Sequence, residues 1–307
     1  MQTVLITGGT GIIGKSLTTF LLNKGYQVII LTRHPEKYNS NNEKLSYAAW
    51  DVSAGLINEE AIEEADYIIH FAGENVATKK WTEQRKKEIV ESRVHSSALL
   101  VKALTTLPNK VKAVISASAI GWYGENKPNE KQFVETDIAY HDFLGETCKL
   151  WEESINPVEA LGIRLVKFRT GIVLSKNGGA LTEFAKPLKL GIATIFGSGN
   201  QTVSWVHSED LCNMYLFAIE NNLLQGVFNA VAPQPVTNKQ LILALAKIKR
   251  NKFFIPVHIP AFILKFILGE MSIEILKSVN VSSHKIQQQG FSFSFASIEN
   301  AFKNLLN

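Results

Sequence analysis

Thr3-Val4-Leu5-Ile6-Thr7-Gly8-Gly9-Thr10-Gly11-Ile12-Ile13-Gly14 is the stretch on which the fold turns. A short run of β-formers ends in a turn with the spacing GxxGxxG, and helix-compatible residues follow as far as Asn23. Gly8 permits the tight turn, Gly11 lets the backbone approach a pyrophosphate, and Gly14 lets the helix pack close to the strand. The start of that helix offers free N–H groups and the positive end of its dipole to an anion. Any tight strand-to-helix turn needs glycines, so the turn alone says little. Together with a second Val/Ile-rich strand at Gln27–Thr32, it predicts a dinucleotide site contacted by Gly8, Thr10, Gly11, Ile12, Ile13 and Gly14.

Outward from this turn, β-rich runs alternate with amphipathic stretches. Strands are expected at Thr3–Thr7, Gln27–Thr32, Leu45–Trp50, Tyr67–Phe71 and Lys112–Ser116, and helices at Gly11–Asn23, Asn58–Glu64 and Thr82–Thr105. Most of the strands are continuous apolar runs, as strands covered by helices on both faces should be. A loop at Gly121–Asp137, a helix at Asp142–Leu161 and a strand at Arg164–Arg169 continue the order. The fold class is therefore α/β, a Rossmann-type doubly wound parallel sheet. Beyond about Ser175, glycines 178, 179, 191, 197 and 199 and prolines 233, 235, 256 and 260 change the texture. Residues 1–175 are expected to form the dinucleotide-binding domain, to which later strands can add. Residues 176–307 are expected to form a smaller α/β substrate lobe.

A chain of 307 residues with 46% hydrophobic and 20% charged residues has the composition of a folded enzyme-sized protein. Its net charge of +4 is spread thinly, and the basic clusters at Lys79–Lys87 and Lys247–Arg250 are interrupted, which argues against nucleic acid as a partner. Cys148 and Cys212 lack metal or disulfide spacing. With no secretory pattern at the start, a cytoplasmic location is expected. The apolar run Ile259–Leu268 is broken by Pro260 and Lys265 and is too short for a bilayer, so no membrane is expected either.

An NAD site would place Asp or Glu at the end of the second strand, but the chain has Leu31-Thr32-Arg33-His34 there. Arg33 can pair with a 2′-phosphate, so NADP is the expected cofactor, with NAD possible; otherwise Arg33 is a solvated loop arginine. Asp51 is either an adenine-side contact or a loop cap. Phe71-Ala72-Gly73 and Ser116, at strand ends, complete the expected cofactor contacts.

Several motifs extend the comparison. They include Gly73-Glu74-Asn75, Trp81, Ser92-Arg93-Val94, Ser116-Ala117-Ser118-Ala119-Ile120-Gly121-Trp122-Tyr123-Gly124, Cys148 with Trp151-Glu152, Phe168-Arg169-Thr170-Gly171, Trp205-Val206-His207-Ser208-Glu209-Asp210, and Gly290-Phe291-Ser292-Phe293. Over nearly the whole chain the sequence resembles the YfcH-type epimerase family, atypical extended short-chain dehydrogenases/reductases related to nucleotide-sugar epimerases. The resemblance implies a Rossmann sheet with a family-specific C-terminal segment, about 250–307, and a nicotinamide cofactor; it names no substrate.

In the wider class, a strand-end Ser and a helical Tyr-x-x-x-Lys handle the substrate proton. Aligning the helix on Trp151-Glu152 puts Leu144 and Cys148 where that pair would fall. Tyr123 and Lys127 share the spacing, but Gly124 and Pro128 make their stretch a loop. Ser118 and Tyr123 remain as catalytic candidates, each equally readable as a strand-end or packing residue. Lys149 is offset from the expected face, and His207 is structural. Glu74, Asn75, Trp81 and Arg93 are the candidate substrate contacts at the pocket mouth. The expectation is an oxidoreductase or epimerase acting on a small polar, sugar-like molecule, as monomer or homodimer. The alternative is a catalytically degenerate NADP-binding sensor or scaffold.

Overall fold

The structure, a computed structural model, describes residues 1–126, 130–251 and 253–306. Lys127, whose spacing to Tyr123 the sequence offered, lies outside them. The first half alternates as expected: β1 (Thr3–Thr7), α1 (Ile12–Asn23), β2 (Gln27–Thr32), β3 (Leu45–Asp51), β4 (Leu56–Ile57), α2 (Glu59–Glu64), β5 (Tyr67–His70), α3 (Glu83–Thr106), β6 (Ala113–Ala119), α4 (Phe143–Ile155) and β7 (Arg164–Thr170). Side chains set the helix starts: Thr82 accepts from Arg85 N–H to open α3, and Asp142 accepts from Gly145 N–H to open α4.

Then come β8 (Ile172–Ser175), β9 (Gly178–Gly179), α5 (Ala180–Ala185), β10 (Ile192–Phe196), β11 (Thr202–Val203), β12 (Trp205–His207), α6 (Ser208–Glu220) and β13 (Gly226–Ala230). The chain ends with β14 (Val236–Thr237), α7 (Asn238–Arg250), β15 (Ile255–Ile259), α8 (Ala261–Leu268), α9 (Ser272–Leu276), α10 (His284–Gln288) and α11 (Ile298–Leu306).

The large sheet has eight strands in the order β13-β7-β6-β5-β1-β2-β3-β4, parallel except for the β3–β4 pair. Strand order reverses between β1 and β5, which opens a crevice beyond their carboxyl ends. Alternate residues feed two cores. Val4, Ile6, Ile69 and Ile115 pack with α1 and α6, whereas Leu5, Ile68, Val114 and Leu165 pack with α2 and α3. The sheet gains a strand well past residue 175, since β13 pairs with β7 and α6 packs in the first core.

A third core, built on Leu181, Leu188, Ile195, Trp205, Leu241, Leu245 and Phe302, holds the smaller lobe. Asp210 fastens its C-terminal segment by accepting from Ser294 N–H (2.8 Å) and Phe295 N–H (3.0 Å). Lys86–Glu270 at 2.7 Å and Lys277–Asp142 at 3.7 Å hook the residues after α8 onto the starts of α3 and α4. Among the described residues no helix is long and apolar enough to cross a membrane, and no His/Cys/Asp/Glu cluster could hold a metal.

Candidate functional site

At the end of β1 the glycine turn is shaped by crowding. Gly8 has φ +67°, and a Cβ there would lie 3.0 Å from the Phe71 backbone; a Cβ on Gly14 would sit 2.5 Å from the Gly8 carbonyl. Gly11 meets only the Gly8 carbonyl, at 3.3 Å, is exposed, and opens α1 with no side chain capping its N–H groups. The packing glycines are thus the first and last, and the middle one faces open space where the free amides point. An anion fits there without competition from a capping side chain. Thr10 and Ile13 are half-buried in this turn; Ile12 is 41% exposed and faces Gly178, whose Cβ position lies 3.1 Å from it.

The neighbouring strand end is stitched to this turn by residues that the sequence reading passed over. Thr7 Oγ1 accepts from Phe71 N–H and Ala72 N–H, both at 3.1 Å, and lies 2.8 Å from His70 Nδ1. His70 Nε2 in turn lies 3.2 Å from Ser97 Oγ. Burial holds the imidazole pKa down to about 4, so it is neutral near pH 7, and the Thr7 hydroxyl donates to Nδ1 while Nε2–H donates to Ser97. This chain of bonds fixes the Phe71-Ala72-Gly73 turn beside Gly8. The signal was present in the sequence: a histidine inside the apolar run Tyr67-Ile68-Ile69-His70 has to find buried partners.

Arg33 is exposed just past β2 and close enough to lower the Asp51 pKa, though less than the turn around Asp51 does. Asp51 accepts from Ser53 Oγ (2.6 Å), Ser53 N–H (2.9 Å) and Ala54 N–H (3.2 Å), which is the loop-cap alternative. Ser116 is buried within β6.

At the mouth, Glu74 pairs with Arg85 at 3.0 Å, Asn75 Oδ1 accepts from Ala77 N–H at 2.8 Å, and Trp81 Nε1 donates to the Val76 carbonyl at 2.8 Å. These contacts shape the loop after β5. Arg93 differs from them. Its guanidinium is half-buried, stacks on Trp151 at 4.9 Å, and lies 3.2 Å from the Cβ position of Gly73. Its Nη1 donates to the Ile89 carbonyl at 2.9 Å, and burial lowers its pKa. Among the described residues no carboxylate pairs with it.

Ser118 and Tyr123 are both buried and bonded to neighbouring side chains. Ser118 is 3% exposed and donates to Glu152 Oε1 at 2.7 Å. Glu152 also receives Arg169 through Nε at 2.8 Å and Nη2 at 3.0 Å. Arg169 Nη1 donates to Tyr123 Oη (3.1 Å), and Tyr123 donates to Asn229 Oδ1 at 2.7 Å. Fully buried and stacked on Phe133, the Tyr123 phenol has its pKa pushed up to about 12. Both hydroxyls therefore belong to a polar network that ties β6, β7, α4 and β13 together, the strand-end and packing alternatives of the sequence reading. Leu144 and Cys148, on α4, face Gly121 just beyond β6. Burial raises the Cys148 thiol to about 12, so it stays protonated near pH 7. His207 Nδ1 accepts from Glu209 N–H to start α6 and stacks on Phe295 at 3.8 Å, a structural role.

Comparison with known proteins follows the same lines. Residues 4–230 match the NAD dependent epimerase/dehydratase family, and residues 259–305 match a domain of unknown function, DUF1731. The chain is 35% identical over 304 residues to Epimerase family protein YfhF of Bacillus subtilis (strain 168), covering 99% of this chain and 97% of that one. The human epimerase family protein SDR39U1 (isoform 2), whose crystal structure contains NADPH, superposes with a TM-score of 0.86 at 28% identity over 99% of both chains. A nucleoside-diphosphate sugar epimerase from Corynebacterium glutamicum gives a TM-score of 0.77 at 29% identity, over 99% of this chain and 58% of that one. A Rossmann-type sheet with an uncapped glycine turn at its switch point, matched from end to end by such relatives, places the chain in the NAD dependent epimerase/dehydratase family, with a C-terminal DUF1731 domain.

Proposed function

We propose that the chain binds NADP(H) at the β1–β5 crevice and acts as an oxidoreductase or epimerase on a small polar substrate, with acid–base support other than a Tyr-x-x-x-Lys pair. The observation that carries the reading is the glycine turn: uncapped amides open onto free space at Gly11, and the adjoining strand end is held by Thr7 and His70. When bound, the dinucleotide supplies or accepts a hydride. The residues fit such a group. The Gly11 N–H is bonded to the Gly8 carbonyl at 3.1 Å, so Ile12 and Ile13 offer N–H groups to its pyrophosphate, and Arg33 pairs with the 2′-phosphate. NADPH in human SDR39U1 supports the choice of cofactor. Arg93, a half-buried cation with no carboxylate partner among the described residues, holds an anionic or carbonyl oxygen of the ligand beside Gly73. Glu74, Asn75 and Trp81 shape the mouth around it.

A second reading has a specific observation behind it: Ser118 and Tyr123 are both committed to internal partners. A protein that binds the dinucleotide and reports its occupancy to a partner needs no proton donor there. Turnover separates the two. An enzyme oxidises NADPH with some polar carbonyl compound, and Arg93→Met slows it; a sensor binds NADPH as well and oxidises it with none of a broad panel.

The cofactor assignment has its own test in fluorescence titrations. Arg33→Ala should weaken NADPH by about tenfold, about 1.4 kcal/mol, with little change for NADH. Equal effects on both would remove Arg33 from the 2′-phosphate. Gly11→Val should weaken both dinucleotides by at least about a hundredfold, roughly 2.7 kcal/mol, because the side chain fills the approach to the amides. Normal binding by that variant would place the dinucleotide elsewhere.

A further inference from the structure

On the smaller lobe lies a cleft of about 200 Å³. Its floor is apolar, formed by Leu181 and Leu305, both buried. Around it stand Lys176, Lys186, Lys189 and Lys249. They come from three stretches: just past β8, the segment from the end of α5 through the 3₁₀ turn Pro187–Leu190, and the last turn of α7. Folding, rather than a basic run in the sequence, brings them together. Lys186 is bonded to Glu183 at 2.6 and 2.7 Å, and among the described residues the other three make no ion pair. A helix C-terminus favours a cation, which bears on Lys249 at the end of α7 and on Lys189 at the end of the short 3₁₀ turn, but not on Lys176. Cations gathered around one concavity repel each other, and a bound anion relieves that repulsion.

The surface next to the cleft stays apolar. Leu190, next to Lys189, is 81% exposed, and Ile255, whose N–H donates to the Gly191 carbonyl at 2.8 Å, is 69% exposed. The adjoining Gly191 brings the Phe253 carbonyl and the Arg250 guanidinium together, at 3.5 and 3.6 Å from its Cβ position. Cationic groups thus border an apolar floor and an apolar rim.

We propose that this cleft is a second binding site, for a phosphate monoester carrying a short hydrocarbon part: the phosphate lies among Lys176, Lys189 and Lys249, and the hydrocarbon lies against Leu181 and Leu305. The volume, that of about seven waters, suits a small head and a few carbons. The hairpin between β8 and β9 separates it from the glycine turn, since Gly178 faces Ile12 while Ser175 and Lys176 line the cleft.

Calorimetric titration of the NADPH-loaded protein with hexyl phosphate and with inorganic phosphate tests the site. Hexyl phosphate is expected to bind at least tenfold more tightly than inorganic phosphate. The double variant Lys189→Glu/Lys249→Glu is expected to lose at least tenfold in hexyl phosphate affinity while its NADPH affinity, which also reports the fold, stays within twofold. Equal binding of the two phosphates, or hexyl phosphate binding that survives the double variant, overturns the proposal. Sedimentation with phosphatidylcholine vesicles containing phosphatidic acid identifies the source. Binding that hexyl phosphate displaces assigns the site to a lipid headgroup, and hexyl phosphate binding without vesicle binding assigns it to a soluble ester. Vesicle binding that the lysine substitutions leave unchanged counts against the cleft.

Discussion

Two groups of strand ends along the carboxyl edge of one sheet handle polar groups in opposite ways. At the carboxyl ends of β1 and β5 the amides of α1 are uncapped and Arg33 is exposed, so donors face outward. At the carboxyl ends of β6 and β7, Ser118, Glu152, Arg169, Tyr123 and Asn229 spend their donors and acceptors on one another, out of water. Unsatisfied donors at an exposed edge cost little while water serves them, and a ligand can take water's place. A buried group has no such substitute and must be matched inside. Substitutions at the first end should therefore move affinity and leave stability alone, and substitutions at the second should do the reverse.

The strongest challenge to that division is Glu152→Leu, which leaves Arg169 as a buried charge without its carboxylate. A loss of about 3–5 kcal/mol in urea unfolding is expected. If the protein unfolds outright, Glu152→Gln, which keeps the shape and one acceptor, gives a measurable intermediate loss. A Glu152→Leu protein of unchanged stability would mean the network is open to water. Tyr123→Phe is milder: Asn229 Oδ1 loses its donor, and about 1–3 kcal/mol should go from stability with no change in any NADPH-dependent rate. A rate loss at unchanged stability would return Tyr123 to the chemistry.

A smaller effect sharpens the contrast within the first end, where His70 is the buried exception. Its folded pKa, about 4, lies below its ordinary value of 6.5, so between those values the unfolded chain binds the extra proton. Stability contributed by the neutral imidazole is full above pH 6.5 and falls as pH drops toward 4, by about 1.4 kcal/mol per unit at most. Urea midpoints at pH 7.5 and 5.5 should differ less for His70→Gln than for the parent protein; equal differences would show that His70 takes up a proton in the folded state.

What the sequence disclosed follows from how local each signal is. β1, α2 and β2 needed only neighbouring residues, and their predicted and observed bounds agree at β1 and β2. The β6 strand runs to Ala119, three residues beyond its expected end, because Ala117, Ser118 and Ala119 pair with Phe168, Arg169 and Thr170 of a distant segment. Ser118 and Tyr123 look alike in a motif whether they face a substrate or a buried arginine. Deciding that required Arg169 and Asn229, 46 and 106 residues from Tyr123. The same distance hid the role of Thr7, 63 residues from His70.

The return of β13 to the edge of β7 has a consequence for synthesis. As the chain leaves the ribosome, the strands through β7 can associate early, yet the outer edge of β7 has no neighbour until residue 230 has emerged, and Asp210 waits longer still for Ser294 and Phe295. Such late, distant contacts slow folding, and a strand edge with its backbone groups unpaired invites pairing with another nascent chain. Premature termination anywhere between residues 171 and 225 should therefore yield aggregates rather than a shorter working protein, even though every residue of the glycine turn would already be in place.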